Sequence, residues 1–187
     1  MASSPVIVFQ SLGQQPAASV VEEIKKQDGL QRVFFGSKME DVNRGILCTE
    51  WSSREAALNY RSSGLASSLA AKEEPLAFIA PGWGTVFEQP CTEVFTGFGA
   101  LEGFAGNVGR FVQKMKENPP EGYRGVAFGE SVGLEGEEKA VRMVIGWTSR
   151  EAHLEAKEKP GAIQDNIHEL RTLRKAVDLY HVEFKEL

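Results

Sequence analysis

The run Gly29-Leu30-Gln31-Arg32-Val33-Phe34-Phe35-Gly36 returns later in the chain as Gly122-Tyr123-Arg124-Gly125-Val126-Ala127-Phe128-Gly129. Trp51-Ser52-Ser53-Arg54-Glu55-Ala56-Ala57-Leu58 returns as Trp147-Thr148-Ser149-Arg150-Glu151-Ala152-His153-Leu154, and Val8-Phe9 through Leu12-Gly13 pairs with Val94-Phe95 through Phe98-Gly99. The offset between matches grows from 86 to 93 to 96 residues, which places the insertions of the second copy around its first helix and in its hairpin. A repeat seen twice excludes a solenoid and predicts two similar halves, residues 1–90 and 91–187, sharing one core.

Each copy reads in the same order. Val6-Ile7-Val8-Phe9 is a buried strand, and the spacing of Ala17, Val20, Val21 and Ile24 predicts an amphipathic helix. In the second copy Val108, Phe111, Val112 and Met115 carry that stripe. Two strands and a polar hairpin follow, Arg32 to Gly36 with Gly45 to Trp51, and Gly125 to Val132 with Ala140 to Trp147 across Gly133-Leu134-Glu135-Gly136. After each Trp, Ser52-x-x-Glu55 and Thr148-x-x-Glu151 read as capping boxes that open a helix, a structural reason for the repeated Ser-Arg-Glu-Ala. Ala66 to Ala71 reads as a short helix, and Leu76 to Phe87 as a strand broken by Pro81-Gly82-Trp83-Gly84. Ile163, Ile167 and Leu170 mark a helix face, followed by a last strand from Val177 to Phe184. The predicted class is α+β, as tandem ferredoxin-like (βαββαβ) halves. One such unit leaves a sheet face uncovered, so the halves are expected to pack those faces together as an intramolecular barrel.

With 42% hydrophobic residues and 25% charged, the chain has enough apolar surface for its own core. The net charge of −5, with no basic cluster flanked by aromatics, argues against a nucleic-acid partner. No apolar run is long enough to span a bilayer and Met1-Ala2-Ser3-Ser4 opens no leader, so no membrane partner and a cytoplasmic address are expected. Cys48 and Cys91 are read as free thiols, Cys48 as a small buried hydrophobe. Gly97-Phe98-Gly99-Ala100-Leu101-Glu102-Gly103 misses the dinucleotide spacing by one residue and is read as a loop.

Strand, polar hairpin and a strand ending in Trp-Ser/Thr-Ser-x-Glu-Ala before a helix resemble the dimeric α/β-barrel superfamily, in particular antibiotic-biosynthesis-monooxygenase-like domains, twice in one chain. That superfamily includes cofactor-independent oxygenases of aromatic polyketides, heme-degrading enzymes and polyketide cyclases. The heme branch carries a first-strand Asn and a His about ten residues after the Trp; here Gln10 and Thr96, and Arg61, Ser62, Lys157 and Glu158, stand at those places, so heme is not expected. The resemblance implies a cofactor-independent oxygenase or cyclase acting on an aromatic or polyketide-like molecule. Trp51, Tyr60 and His181 are the candidate catalytic residues. Phe9, Phe35, Phe95, Phe128 and Trp147 are the candidate walls for an apolar or aromatic ligand. Asn59 and Tyr60 face Glu155 and Ala156 in the alignment, which favours a site in the first copy. Tyr180 and His181 are neighbours on a strand and point to opposite faces, so they form no dyad. His153 and His168 are expected to face solvent, and with no His repeated no metal site is expected. The alternative is a non-catalytic small-molecule-binding or stress-response protein. In either case the expected particle is a monomeric pseudo-dimer or a weak homodimer.

Overall fold

The computed structural model describes residues 4–69, 75–133 and 136–187. The expected hairpin turn at Leu134-Glu135 and the end of the expected helix at Ala70-Ala71 lie outside the described residues. The strands are β1 (Val6–Leu12), β2 (Leu30–Ser37), β3 (Gly45–Trp51), β4 (Leu76–Ile79), β5 (Cys91–Phe98), β6 (Tyr123–Val132), β7 (Ala140–Trp147), β8 (Ala176–Val182) and β9 (Lys185–Glu186). The helices are α1 (Ala18–Lys25), α2 (Arg54–Arg61), α3 (Gly64–Leu69), α4 (Gly84–Phe87), α5 (Phe104–Glu117), α6 (Arg150–Glu158) and α7 (Ala162–Asn166), with a 3-10 turn at Ile167–Leu170.

All nine strands form one antiparallel sheet in the order β8-β5-β7-β6-β4-β1-β3-β2-β9. Within it, β4-β1-β3-β2 and β8-β5-β7-β6 each place their four strands as fourth, first, third, second. Two seams join these quartets. At one, Ala77 and Phe78 of β4 pair Val132 and Ser131 of β6. At the other, β9 pairs Phe34 and Phe35 of β2, and Lys38 bridges Val182. Because only Glu183-Phe184 separates β8 from β9, the sheet curls until its two ends meet.

Alternation along the strands sorts the core into three clusters. Ile7, Phe9, Phe34, Cys48 and Phe78 of the first quartet meet Val94, Val144, Tyr180 and Val182 of the second inside the curl. The segment expected to continue β4 as a strand turns at Pro81-Gly82 and forms α4, whose Phe87, with Trp83 before it, fills this interior against Phe9, Phe34 and Phe184. The other face of each quartet packs on its helices, Val8, Trp51 and Tyr60 in the first and Phe95, Phe111, Met143 and Trp147 in the second.

Two sequence expectations shift by one residue. The residue that caps α2 is Ser53 rather than Ser52, and α6 is capped by Ser149 rather than Thr148; their side chains accept from Ala56 N and Ala152 N at 3.1 Å. Ser149→Ala should therefore lower stability by about 1 kcal/mol, read as a shift in the urea midpoint at unchanged slope. An unchanged midpoint would remove Ser149 as the cap.

The first-strand alignment also shifts. Val6 pairs Trp51 as Cys91 pairs Trp147, so the copies stand 85 residues apart in their first strands and 96 in their third. Phe34 pairs Cys48 as Ala127 pairs Val144, which keeps the second strands 93 apart. Because the strand period is two, the slip from 86 to 85 reverses which residues face the helices. Glu93 matches Val8, not Ile7. Opposite them His181 of β8 matches Ala77 of β4.

Candidate functional site

The corrected register brings together three residues of the second quartet at positions that are apolar in the first. Glu93 on β5 takes the place of Val8, His153 on α6 that of Ala57, and His181 on β8 that of Ala77. Glu93 and His181 are direct cross-strand partners. His153 reaches them from above because the Ser149 cap sets α6 over the end of β7, with Trp147 beneath. The imidazole of His153 stacks on the Trp147 indole at 5.1 Å between centroids. All four side chains are buried.

A continuous polar chain runs through them. The Trp147 indole N–H donates to Glu93 Oε2 at 2.9 Å, and the same oxygen lies 3.4 Å from His153 Nε2. His153 Nδ1 and His181 Nε2 are 2.7 Å apart, and His181 Nδ1 lies 2.6 Å from Glu40 Oε1. Glu40 comes from the loop between β2 and β3 of the first quartet, about one-third exposed. Its carboxylate also accepts from the backbone N–H of His181 at 3.0 Å and from Arg150 Nε at 3.2 Å.

The electrostatics keep charge at the outer end. Burial acts to raise the Glu40 carboxyl, but the backbone N–H and ring of His181 outweigh it and hold it down at about 2. Burial pushes Glu93 up to about 7, against the Trp147 N–H and Lys157, which pull it down. It also pushes His153 down to about 3 and lowers His181 despite the hydrogen bond to Glu40. At neutral pH both rings are neutral, and Glu93 stands near its own midpoint, where a carboxyl both gives and takes a proton. Cys91, at the start of β5, is pushed up to about 12, chiefly by burial and also by Glu93 and Glu40, and so stays a thiol.

The chain adjoins the larger of two matching grooves. A groove of about 860 Å³ runs over Tyr123, Arg124, Thr148, Ala152, Ala156 and Ile163, and Tyr123 on its wall packs edge-on against Trp147 at 6.3 Å. Its counterpart over Gly29, Trp51, Ser52, Ala56, Asn59 and Tyr60 holds about 360 Å³. Tyr60 occupies the place of Ala156, and its ring stacks on Trp51 at 4.8 Å. That packing fills in the first quartet part of what is open in the second.

The sequence-predicted residues fall in different places. Trp51 and Tyr60 are buried together, each already satisfied: the indole N–H donates to Thr49 Oγ1 at 2.9 Å and the phenol to Gln10 Oε1 at 2.6 Å. Burial raises the Tyr60 hydroxyl above its ordinary value, away from a base role at neutral pH. Phe35 lies in the same layer, Phe9 inside the curled sheet, and Phe95, Phe128 and Trp147 in the layer of the second quartet. Only Trp147 and His181 join the polar chain. Tyr180 does point away from His181, into the interior of the curl.

His153, Glu93 and Glu40 are absent from the sequence-predicted candidates, and His153 is expected elsewhere, facing solvent. His153 is 3% exposed, not solvent-facing, and His181 is not isolated, because the fold delivers Glu93 and His153 to it. Ligand atoms of Glu93, His153 and His181 lie within 4.8 Å of one another, contrary to the expectation that no such cluster forms. The signal was present in the sequence as three polar residues at positions apolar in the other copy, once the strands are aligned 85 apart. His168 is exposed, as expected.

No helix among the described residues is long and apolar enough to cross a membrane. No family model matches the sequence, and no curated protein matches it. Solved structures do. An anthrone oxidase-like protein superposes with a TM-score of 0.65 at 12% identity, over 100% of this chain and 95% of its own. A "putative monooxygenase" from Lactobacillus acidophilus gives 0.58 at 10% identity, over 98% and 96%. A mutant chlorite dismutase from Candidatus Nitrospira defluvii gives 0.53 at 8% identity, over 97% and 92%. Likeness at such identities shows a shared fold alone, here the curled antiparallel sheet with helices packed outside it.

Proposed function

We propose that the chain is two fused ferredoxin-like halves, 1–90 and 91–187, forming an internal pseudo-dimer. In this reading it is an oxygenase-type enzyme acting on a polycyclic phenol or anthrone-like molecule in the second half. The observation that carries the reading is a buried carboxyl poised near neutrality, held by the Trp147 N–H and backed by two imidazoles, beside a groove of about 860 Å³. The anthrone oxidase-like and monooxygenase-type neighbours support the reaction class. A ring seated against Tyr123 and Trp147 presents an acidic C–H to Glu93, which takes the proton. The carbanion passes an electron to dioxygen, the two radicals combine to a peroxide anion that takes the proton back from Glu93, and loss of water leaves the quinone, so that anthrone and O₂ give anthraquinone and H₂O. Access to Glu93 requires the Tyr123 ring to swing off Trp147, since Glu93 is 4% exposed.

The test is oxygen uptake and quinone absorbance with anthrone. Glu93→Gln and His153→Ala should each lose about 100-fold in kcat/KM, whereas Tyr60→Phe should retain the wild-type rate. No turnover above spontaneous oxidation across a panel of polycyclic phenols would overturn the reading. The close packing favours a second reading, a non-catalytic binder, because Trp147 is 0% and His153 3% exposed. Native mass spectrometry showing a retained aromatic molecule with no turnover would select it.

A further inference from the structure

The polar chain has a direction and an exit. Glu40 accepts from the backbone N–H of His181 and from Arg150, so it is a carboxylate and takes the proton of His181 Nδ1. His181 Nε2 is then an acceptor facing His153 Nδ1 at 2.7 Å, which fixes the proton of His153 on Nδ1. That leaves His153 Nε2 as an acceptor toward Glu93 Oε2, which itself accepts from Trp147. Both rings thus carry their proton on Nδ1, the less favoured tautomer of a free imidazole, and the far end of the chain imposes it. Arg150 and Lys157 from α6 and Glu40 from the facing loop are the charged groups acting on these rings, with Glu93 and the Cys91 thiol on β5 nearby.

We propose that Glu93, His153, His181 and Glu40 form a proton wire linking the buried side of Trp147 in the second half to solvent at a carboxylate supplied by the first. Its use as a relay that takes up the substrate proton and returns one for the peroxide anion rests on the function proposed above; its existence does not. In one passage the Glu93 O–H bond breaks as His153 Nε2–H forms, His153 Nδ1–H breaks as His181 Nε2–H forms, and His181 Nδ1–H breaks as Glu40 O–H forms. Glu93 ends one proton poorer and Glu40 one richer, with both rings neutral and their tautomers reversed. The 3.4 Å link from Glu93 to His153 is the longest and must close for the transfer. The first half has Val8, Ala57 and Ala77 in place of the inner three groups and carries no such path there.

The test reads tautomers by long-range nitrogen-15 correlation on imidazole-labelled protein at about pH 8, where Glu93 is a carboxylate like Glu40 and the 2.6 Å bond to Glu40, against 3.4 Å to Glu93, sets the direction. Wild type should show Nδ1–H at both His153 and His181. Glu40→Ala should reverse both rings to Nε2–H together, although only His181 touches residue 40. A reversal confined to His181 would overturn the wire, because a purely structural contact moves only its own ring. A stoichiometric divalent metal in the purified protein, with no imidazole proton between the rings, would overturn it as well. If the tautomers reverse together but anthrone is not oxidised, the wire stands and the proposed reaction falls. If anthrone is oxidised and the rings do not respond together, the reverse holds.

Discussion

Gly129→Ala is expected to cost about 3 kcal/mol of stability, a fall of roughly 6–12 °C in Tm for a chain of this size. A Cβ on Gly129 would overlap the carbonyl oxygen of Ile79 at the end of β4, and on Gly36 it would overlap the carbonyl oxygen of Glu183 just after β8. These are one feature seen twice. Gly36 and Gly129 stand 93 apart in the second strands, and Ile79 and Glu183 follow Ala77 and His181 by two residues each. Where the last strand of one quartet crosses the second strand of the other, the backbones approach too closely for any side chain. Neither carbonyl can give way, since each belongs to a seam with few ladder pairs to spare. Gly36→Ala should cost a similar amount. Gly13→Ala is the matched control, with nothing within 4 Å of the added carbon, and should shift stability by less than about 0.5 kcal/mol. Urea unfolding of the three variants decides it; Gly129→Ala as stable as the wild type would mean the seam is looser than described.

That crossing also shows why some of the fold was legible and some was not. Phe35-Gly36 and Phe128-Gly129 repeat because the seam needs a glycine in both copies, so the same local constraint left the same letters. The α+β class and the order of elements could be read from such repeats and from the helix stripes. The first strands hid their register because nearly every residue of β1 and β5 is buried on both faces, leaving no polar and apolar alternation to mark a slip of one. The slip set Glu93 opposite Ile7, in a row facing away from the helices, and concealed its swap with Val8. The polar chain has no local sequence signature, since Glu40, Glu93, His153 and His181 come from four elements far apart in sequence. Tyr60 reads as a catalytic candidate in the sequence because it is a polar aromatic near a Trp, but its hydroxyl is already consumed by Gln10, a partner 50 residues away.

The buried chain should also declare itself in how stability depends on pH, through the two opposing kinds of group it contains. Glu93 keeps its proton up to about 7 when folded and to its ordinary 4.5 when unfolded. Between those values the folded protein holds the extra proton, and this group makes stability fall as pH rises. His153 has its folded value near 3 against an ordinary 6.5, so through the same window the unfolded chain holds the extra proton and stability rises with pH; His181, also lowered, adds to that rise. From pH 4.5 to 6.5 the Glu93 and His153 contributions nearly cancel, and the net rise with pH in this window is the one His181 adds. Glu93→Gln removes the opposing member while keeping an acceptor for the Trp147 N–H. It should therefore steepen the rise between pH 4.5 and 6.5 by up to about 1.4 kcal/mol per pH unit and abolish the decline that the wild type shows between 6.5 and about 7. Glu93→Val, the residue of the first copy, leaves the Trp147 indole N–H with no partner and should cost about 2–3 kcal/mol throughout. Urea midpoints across the range separate the cases. Equal slopes for wild type and Glu93→Gln would mean that Glu93 titrates as an ordinary carboxylate and that the interior beside Trp147 holds no proton to give.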